Sequence, residues 1–308
     1  MPQLSGTDLH VSALCLGGNV FGWTADESSS RAVLDRFHDA TGSTPSFVDT
    51  AESYGNGTSE RILGDWMADR GVRDQVVVAT KASPRHKKHP LAADEIRAAC
   101  ERSLGNLRTD RIDLYYAHYD DETTPLEETL TAFDELVRAG KVRYVAASNY
   151  SPARLAEALE TSERLGVSGF VALQMHYNLM ERPAFEGELR DVVTAHGLGT
   201  LPYYGLAKGF LTGKYRSGAQ VDSPRATRAA EYGGAKGDRV LDAVAQVAEA
   251  SGVPMAAVAL RWRADQPTVV SPIASARDVE QLAGLLPMED LRLTDEQHRL
   301  LDDASGGR

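Results

Sequence analysis

Short apolar runs rich in β-branched residues alternate along this chain with longer stretches in which apolar residues recur at helical spacing. The strand-like runs lie near residues 12–16, 46–49, 76–80, 112–117, 142–147, 170–173, 198–202 and 268–273. The helical patterns lie near residues 27–40, 58–69, 92–107, 125–138, 152–164, 185–196 and 238–250. Strand, helix and strand follow one another about eight times, which predicts a parallel α/β fold.

A closed (β/α)8 TIM barrel is the architecture that eight such units favour. An open, doubly wound sheet is the competing topology. Since no low-complexity linker divides the chain, we predict a single barrel domain over residues 1–308, with a hairpin at its N-terminus. The stretch 204–237 is too long for an ordinary βα loop, so we expect a long loop after strand 7 and consider it a candidate lid. A further helical segment, 254–264, is expected as an insertion before the last strand.

The charge balance argues against some classes of partner. The chain carries a formal net charge of −11, and no basic block offsets it. Nucleic acid or an anionic membrane surface is therefore not expected as the main partner. The one basic cluster, residues 85–89, is short and is followed by Pro90, so we interpret it as a solvated loop.

Cysteine usage and the length of the apolar runs bear on cellular location. Cys15 and Cys100 are the two cysteines, too few for a disulfide framework, which suits a reducing compartment. The first residues lack the basic and apolar segments of a signal peptide. No apolar run approaches the roughly 20 residues of a membrane helix. We therefore expect a soluble, cytoplasmic protein without a membrane partner, and no pattern indicates its oligomeric state.

Four polar residues stand where successive βα units would place their catalytic ends. Asp49 closes the second strand-like run and Tyr54 follows in the next loop. Lys81 and His118 close the third and fourth runs. In a parallel barrel the carboxyl ends of the strands face one shared cleft. An acid, a phenol, an amine and an imidazole that meet there indicate proton transfer to or from an oxygen atom.

Each of these residues also has a purely structural interpretation. Asp49 could cap the following helix, and Tyr54 could pack on the rim of the barrel. Lys81 could be a surface lysine after a strand, and His118 could be a hydrogen-bonded histidine beside Tyr116. Because all four stand at suitable strand ends, one shared site is the favoured interpretation.

Several nucleotide and metal motifs are absent from the sequence. The Gly-x-Gly-x-x-Gly fingerprint does not follow the first strand, where residues 16–19 read Leu-Gly-Gly-Asn. A Gly-rich phosphate loop with a lysine and Ser/Thr is also missing. The eight histidines are scattered, and no pair of His or Cys residues has metal-ligand helix spacing, so no metal is expected.

A series of motifs, in order between about residues 4 and 285, resembles the aldo-keto reductase family. The motifs are Phe47-Val48-Asp49-Thr50-Ala51-Glu52-Ser53-Tyr54-Gly55, Ala79-Thr80-Lys81, Asp113-Leu114-Tyr115-Tyr116-Ala117-His118, Ala147-Ser148-Asn149, Gln174-Met175-His176-Tyr177-Asn178 and Gly209-Phe210-Leu211-Thr212-Gly213-Lys214-Tyr215. Each motif is weak alone, but their order and spacing together are specific. The resemblance implies a (β/α)8 barrel that binds a nicotinamide dinucleotide in extended form, without a Rossmann domain.

The resemblance also implies catalytic roles for the four strand-end residues. Tyr54 would donate a proton to the alkoxide that hydride addition leaves on a carbonyl group. Lys81 would lower the pKa of Tyr54 from its ordinary value of about 10, and Asp49 would hold Lys81 by an ion pair. His118 would orient the carbonyl oxygen or help the proton move in the reverse direction.

A larger set of residues matches the family's cofactor positions: Ser148, Asn149, Gln174, Tyr203, Leu206, Gly209, Leu211, Lys214, Ser275, Arg277 and Gln281. The first three would hydrogen-bond the nicotinamide carboxamide, and Tyr203 would stack on its ring. The next four would cover the pyrophosphate. The last three resemble the adenosine 2′-phosphate site, so the implied cofactor is NADPH/NADP+. Arg277 also has an interpretation as a helix-surface residue.

The chain departs from the family pattern at three places. Residues 118–121 read His-Tyr-Asp-Asp where the family often has His-x-Pro-Asp. Residues 203–207 read Tyr-Tyr-Gly-Leu-Ala where Tyr-Ser-Pro-Leu-Ala is usual, which could alter the backbone of that loop. Gly284 and Leu285 stand where many members place Glu-Asn against the adenine, which puts adenine recognition in doubt.

Candidates for the substrate pocket are Asn19, Phe21, Trp23, Tyr119 and Tyr177, although Phe21 and Trp23 could equally belong to the core.

The leading expectation for function is NADPH-dependent reduction of a small-molecule carbonyl, an aldehyde or ketone, to an alcohol. Potassium-channel β subunits share this barrel, so a redox-sensing regulatory subunit is the second expectation. A mainly oxidative sugar or alcohol dehydrogenase is the third. The pattern names no physiological substrate.

Overall fold

Eight parallel strands form the centre of the protein, whose computed structural model describes residues 1–82, 89–215 and 226–306. The strands are β1 Cys15–Gly17, β2 Ser46–Asp49, β3 Val76–Ala82, β4 Ile112–Ala117, β5 Val142–Ser148, β6 Ala172–Gln174, β7 Gly199–Thr200 and β8 Ile273–Ala274. Their order in the sheet is β7-β6-β5-β4-β3-β2-β1-β8. The predicted (β/α)8 TIM-barrel fold is confirmed.

The two strands at the ends of that order, β7 and β8, are joined by backbone hydrogen bonds that close the sheet. The Thr200 N–H donates to the Thr268 carbonyl over 2.8 Å, and the Val270 N–H donates to the Thr200 carbonyl over 2.9 Å. Further along, the Ile273 N–H donates to the Pro202 carbonyl over 2.9 Å. Closure leaves no long sheet edge in this region and brings all carboxyl ends to one rim.

The last strand differs from its predicted bounds. The prediction placed a strand over 268–273, but the regular ladder is limited to Ile273–Ala274, and the preceding residues make only the isolated bridge between Val269 and Thr200. Proline explains the interruption, because neither Pro202 nor Pro272 has an N–H group to donate to a ladder.

Helices surround the barrel. They are α1 Glu27–Thr41, α2 Thr58–Arg70, α3 Ala93–Leu107, α4 Leu126–Arg138, α5 Pro152–Leu165, α6 Glu188–Ala195, α7 Ala226–Ala230, α8 Ala235–Ser251, α9 Met255–Ala264, α10 Val279–Ala283 and α11 Asp295–Gly306. Short 3₁₀ turns occupy Arg73–Gln75, Ala207–Thr212 and Leu286–Met288. Each predicted helical stretch has a counterpart among them, and the predicted insertion at 254–264 is α9.

The C-terminal helix α11 was not predicted, although the sequence carries a signal for it. Thr294 and Gln297 form a reciprocal capping box. The Gln297 N–H donates to Thr294 Oγ1 over 3.2 Å, and the Thr294 N–H donates to Gln297 Oε1 over 2.9 Å. Leu301 of this helix is fully buried. The Thr-x-x-Gln spacing therefore marks the start of a helix that packs on the barrel.

Side chains alternate between the inside and the outside of the barrel along each strand. In β3, Val77 and Ala79 belong to the smaller, interior cluster of apolar side chains, whereas Val78 belongs to the larger, outer cluster. Lys81 continues the interior series by the same period of two. The long, charged side chain of Lys81 therefore points into the barrel near its carboxyl end.

The predicted N-terminal hairpin closes the opposite end of the barrel. Gln3 and His10 form an antiparallel bridge, and the Leu4 N–H donates to the Leu9 carbonyl over 2.9 Å. Leu4, Leu9 and Val11 are buried within the interior cluster. With that end filled by apolar side chains, the carboxyl rim is the open face of the barrel.

A long segment separates β7 from α8, as predicted, and its described parts contain a 3₁₀ turn and α7. Residues 216–225 of the candidate lid lie outside the described residues, as do residues 85–88 of the predicted solvated loop.

Within the described chain no single helix is long and apolar enough to cross a bilayer. The helices α8 and α9 reach the required length and apolar character only together, and as a pair they are bent by 99°.

Candidate active site

Lys81 joins two of the predicted catalytic residues through its ammonium group. Lys81 Nζ donates to Asp49 Oδ1 over 2.6 Å, to the Thr50 carbonyl over 2.7 Å and to the Tyr54 hydroxyl over 3.4 Å. The side chain is 1% exposed and Asp49 is 3% exposed. Neither residue therefore fits the alternative of a surface lysine or a simple helix cap.

His118 lies beside this cluster. It follows β4, and its N–H donates to the Ala82 carbonyl over 3.1 Å, which fixes the backbone next to Lys81. The His118 and Tyr54 rings meet edge to face with centroids 6.2 Å apart. On its other face His118 stacks on Tyr119 at 4.4 Å. The four predicted catalytic side chains are thus brought to one place.

Burial and charge act in opposite directions on the two proton-carrying groups. Burial by itself lowers the pKa of Lys81, but the Asp49 carboxylate and the Tyr54 hydroxyl together outweigh it and raise the pKa above its ordinary value. Burial raises the pKa of the Tyr54 phenol, and the charge of Lys81 offsets that rise only in part. Lys81 therefore lowers the pKa of Tyr54 as predicted, but the combined effect of all groups is to raise that pKa above its ordinary value. Tyr54 is protonated at neutral pH.

Asn149 connects three of the converging segments. Its Nδ2 donates to the His118 carbonyl over 2.9 Å and to Ser148 Oγ over 2.9 Å. Its Oδ1 accepts from the Tyr203 hydroxyl over 2.7 Å. Asn149 has a φ of 60°, a left-handed conformation that asparagine tolerates better than most residues. Strained backbone of this kind is concentrated at ligand sites.

Gln174 and Tyr203 lie on the neighbouring strands. Gln174 is the last residue of β6, and its Nε2 donates to Asp49 Oδ2 over 2.8 Å. Tyr203 follows β7 and stacks on His176 with centroids 5.5 Å apart. Burial lowers the pKa of His176, so that imidazole is neutral at pH 7. An amide and an aromatic ring face therefore stand next to the proton-carrying cluster.

A cavity of about 850 Å³ runs from Tyr54 and His118 across the carboxyl rim. Most of the predicted cofactor residues line it: Asn149, Gln174, Tyr203, Leu206, Gly209, Lys214, Ser275, Arg277 and Gln281. Ser148 and Leu211 do not, because both are fully buried. Ser148 reaches the site through its hydrogen bond to Asn149, and Leu211 packs in the outer core.

The predicted substrate-pocket residues divide in the same way. Asn19 and Tyr119 line the cavity. Phe21 is 1% exposed in the core, which agrees with its structural interpretation. Trp23 is 61% exposed and is not among the cavity's described lining residues. Tyr177 is buried, and its hydroxyl donates to Glu186 Oε1 over 2.6 Å, so it turns away from the cavity.

The far end of the cavity contains the predicted 2′-phosphate residues, with contacts that the sequence did not indicate. Ser275 Oγ donates to Asn19 Oδ1 over 2.6 Å. Asp278 caps α10 by accepting from the Gln281 N–H over 2.7 Å, and Gln281 Nε2 donates to the same carboxylate over 2.9 Å. A carboxylate thus already occupies this five-residue helix's N-terminus. Arg277 lines the same end of the cavity and carries a positive charge there.

Sequence reasoning assigned no role to several residues that shape the cavity. Tyr204 and Lys208 line it with left-handed φ values of 53° and 58°, and Gly205 lies between them. Met255 of α9 lines it from the other side. Tyr204 and Gly205 lie in the stretch 203–207, where the chain departs from the family pattern, but that departure indicated no role for them. No local pattern marks Lys208 or Met255, because long-range packing places them there. Within the described chain, no group of three His, Cys, Asp or Glu side chains could hold a metal ion.

A parallel barrel with a buried acid–lysine pair beside a half-buried tyrosine at its carboxyl rim has the layout of a barrel enzyme, since active sites of this fold lie at that rim. The sequence model of the Aldo/keto reductase family matches residues 13–305, and the chain belongs to that family.

Its relatives carry several functional names. An "Uncharacterized oxidoreductase YrpG" from Bacillus subtilis is 34% identical, over 99% of this chain and 95% of the relative. "Norsolorinic acid reductase B" from Aspergillus parasiticus is 31% identical, over 98% of this chain and 83% of the relative. A "Probable voltage-gated potassium channel subunit beta" from Arabidopsis thaliana is 31% identical, over 91% of this chain and 88% of the relative. The family and the oxidoreductase names support an oxidoreductase.

Proposed function

We propose that this protein is an NADPH-dependent reductase that converts an aldehyde or ketone to an alcohol, with Tyr54 as the general acid. The observation that carries the proposal is the buried ammonium group of Lys81, which contacts both Asp49 and the Tyr54 hydroxyl beside a cavity of about 850 Å³. A protonated phenol at the wall of a cavity is suited to deliver a proton to an oxygen atom.

The side chains along the cavity fit a nicotinamide dinucleotide. Near Tyr54, Asn149 and Gln174 present amide groups and Tyr203 presents an aromatic ring. Towards the other end, Lys214 and Arg277 present positive charge, which suits phosphate groups. When bound, the reduced nicotinamide supplies a hydride to the carbonyl carbon. The preference for the 2′-phosphate form rests on Arg277.

The chain's own part in the reaction is the movement of one proton. Tyr54 holds that proton at neutral pH, because the pKa of a phenol is ordinarily about 10 and burial raises it further. As negative charge develops on the substrate oxygen, Tyr54 donates the proton and becomes a tyrosinate. The adjacent Lys81 stabilises that anion, and Asp49 keeps Lys81 charged. His118 lies at the same wall and can hydrogen-bond the substrate oxygen.

Two other functions were considered from the sequence. A relative named as a potassium-channel β subunit favours the redox-sensing subunit as a second candidate. Such a protein would bind the cofactor and turn over very slowly. A mainly oxidative dehydrogenase is less favoured, since oxidation needs tyrosinate as base and the raised pKa of Tyr54 disfavours it near pH 7.

A substrate screen tests the proposal and separates these candidates. Aldehydes and ketones would be offered with NADPH, and sugars and alcohols with NADP+, while absorbance of the reduced cofactor is followed. We expect carbonyl reduction at pH 7 in the wild type and a large loss in Tyr54→Phe. Tight NADPH binding without turnover of any carbonyl would favour the sensor, and faster alcohol oxidation at pH 7 would favour the dehydrogenase.

A small-molecule carbonyl partner and a cytoplasmic location belong to the same proposal. The net charge of −11 argues against nucleic acid as the main partner, and two free, buried cysteines suit a reducing compartment.

A further inference from the structure

Arg263 is an arginine placed entirely inside the protein. It is the next-to-last residue of α9, and its relative exposure is 0%. Within the described parts of the chain no carboxylate lies within ion-pair distance of it. Buried arginines are normally paired with an acid, because an unpaired charge away from water is costly. An unpaired guanidinium at this position therefore calls for a physical explanation.

The guanidinium donates to backbone carbonyls from three parts of the barrel. Arg263 Nη1 donates to the Tyr177 carbonyl over 3.0 Å and to the Tyr203 carbonyl over 3.3 Å. Arg263 Nη2 donates to the Ile273 carbonyl over 3.0 Å. Tyr177 follows β6, Tyr203 follows β7, and Ile273 begins β8. One planar group thus ties together β8 and the segments that follow β6 and β7.

These strands form the least regular part of the barrel. β7 and β8 contain two residues each, and β6 contains three. Pro202 and Pro272 add no ladder donors at this junction. A guanidinium offers five N–H donors in a rigid plane. Arg263 uses its two terminal nitrogens to add three hydrogen bonds where the barrel closes.

Gly205 meets Arg263 from the cavity side. A Cβ atom added to Gly205 would lie 2.2 Å from Arg263 Nη2 and 2.3 Å from Cζ. The backbone of Gly205 is not left-handed, so an alanine is conformationally permitted there, and space alone excludes it. The guanidinium therefore packs directly against this glycine, which lines the cavity together with Tyr203, Tyr204 and Leu206.

We infer that Arg263 is a positioning residue that holds the Tyr203–Leu206 turn in place through its fit to Gly205, and that its unpaired charge, directly behind the cavity wall, favours an anionic ligand. Burial lowers the pKa of Arg263 to about 9, which leaves it charged at pH 7. The identity of that ligand as a dinucleotide rests on the proposed function; the fit between Arg263 and Gly205 does not.

A double-mutant cycle tests the positioning role in protein without ligand. Thermal unfolding would be measured for wild type, Gly205→Ala, Arg263→Met and the double variant, with Arg261→Met on the same helix as the matched control. Gly205→Ala alone should lower Tm by about 3–10 °C, as overpacking does. Methionine vacates the guanidinium space, so Gly205→Ala should cost little further in the Arg263→Met background. Additive losses would overturn the inference.

The affinity for NADPH, measured at 0.1 M salt, tests whether the charge of Arg263 favours an anionic ligand. Arg263→Met should raise the dissociation constant about 10-fold, which corresponds to about 1.4 kcal/mol of lost attraction. Arg263→Lys keeps the charge without the planar donor set, so it should bind NADPH more tightly than Arg263→Met. Equal affinities in these two variants would overturn the electrostatic part. A wild type that does not bind NADPH would reject the proposed function, while the thermal cycle would still decide the positioning role.

Discussion

Replacing Lys81 by methionine removes the positive charge that contacts Tyr54 while keeping most of the buried volume. Lys81 Nζ lies 3.4 Å from the Tyr54 hydroxyl. Two unit charges at that separation interact by about 5 kcal/mol at an effective dielectric constant of about 20. Losing this attraction should therefore raise the pKa of Tyr54 further. Burial has already raised that pKa above its ordinary value.

The two directions of the reaction should respond differently to this shift. Alcohol oxidation needs tyrosinate, and below the pKa the tyrosinate fraction falls tenfold for each unit of upward shift. Oxidation at a given pH should therefore fall in Lys81→Met, by up to about the 10²–10⁴-fold that general acid–base catalysis typically contributes, and recover as the pH rises. Carbonyl reduction uses the protonated phenol, which both proteins contain at pH 7. It should slow by less, because only the acidity of the donor is reduced.

The assay is the pH dependence of NADP+-linked alcohol oxidation, with a second readout that needs no turnover. Titration of the Tyr54 phenol can be followed by ultraviolet difference spectroscopy against Tyr54→Phe. Removing Lys81 also leaves Asp49 buried without its ion-pair partner, which typically costs about 3–5 kcal/mol of stability. The double variant Asp49→Asn/Lys81→Met controls for that effect. An unchanged pH profile together with a normal rate would show that Lys81 has only a structural role.

Three other substitutions test separate parts of the molecule. Tyr54→Phe should lower kcat for carbonyl reduction by about 10²–10⁴-fold and leave NADPH affinity nearly unchanged; wild-type turnover would contradict its assignment as general acid. Arg277→Ala should weaken NADPH binding by about 10- to 150-fold but hardly affect NADH, and equal losses in fluorescence titrations would reject the 2′-phosphate site. Glu60 lies in α2, and burial raises the pKa of its carboxyl group above the ordinary value of 4.5. Between pH 4.5 and the raised pKa, Glu60 is protonated in the folded protein but ionised in the unfolded chain, so its contribution to stability falls as the pH rises. Glu60→Gln should remove this component from the dependence of Tm on pH.

Much of the catalytic cluster could be predicted because the prediction needs only two assumptions, the positions of the strand ends and a closed parallel barrel. Asp49, Lys81 and His118 each stand at or just after the end of a strand that the local pattern marks clearly. Parallel strands in a closed barrel bring those ends together whatever the sequence between them. The prediction of a shared site therefore followed from the fold, and the contacts of Lys81 with Asp49 and Tyr54 agree with it.

For other residues near strand ends, packing decides whether the side chain points into the cavity or into the core, and the sequence alone could not predict which. Tyr177 belongs to a family motif, yet its ring packs between Phe185 and Trp262 and its hydroxyl binds Glu186. A one-residue step along an extended backbone reverses the face that a side chain occupies. Motif position alone could not decide between the cavity and the core.

The sequence by itself determined the repeat of strand and helix, the family, and the residues that converge on the carboxyl rim. Only the tertiary structure decided the net pKa shift of Tyr54, since burial depends on every group that packs around the phenol. It also decided that the guanidinium of Arg263, from a distant helix, fills the space beside Gly205. Periodicity and motifs record local preference, whereas burial, charge balance and close approach arise between segments far apart in the chain.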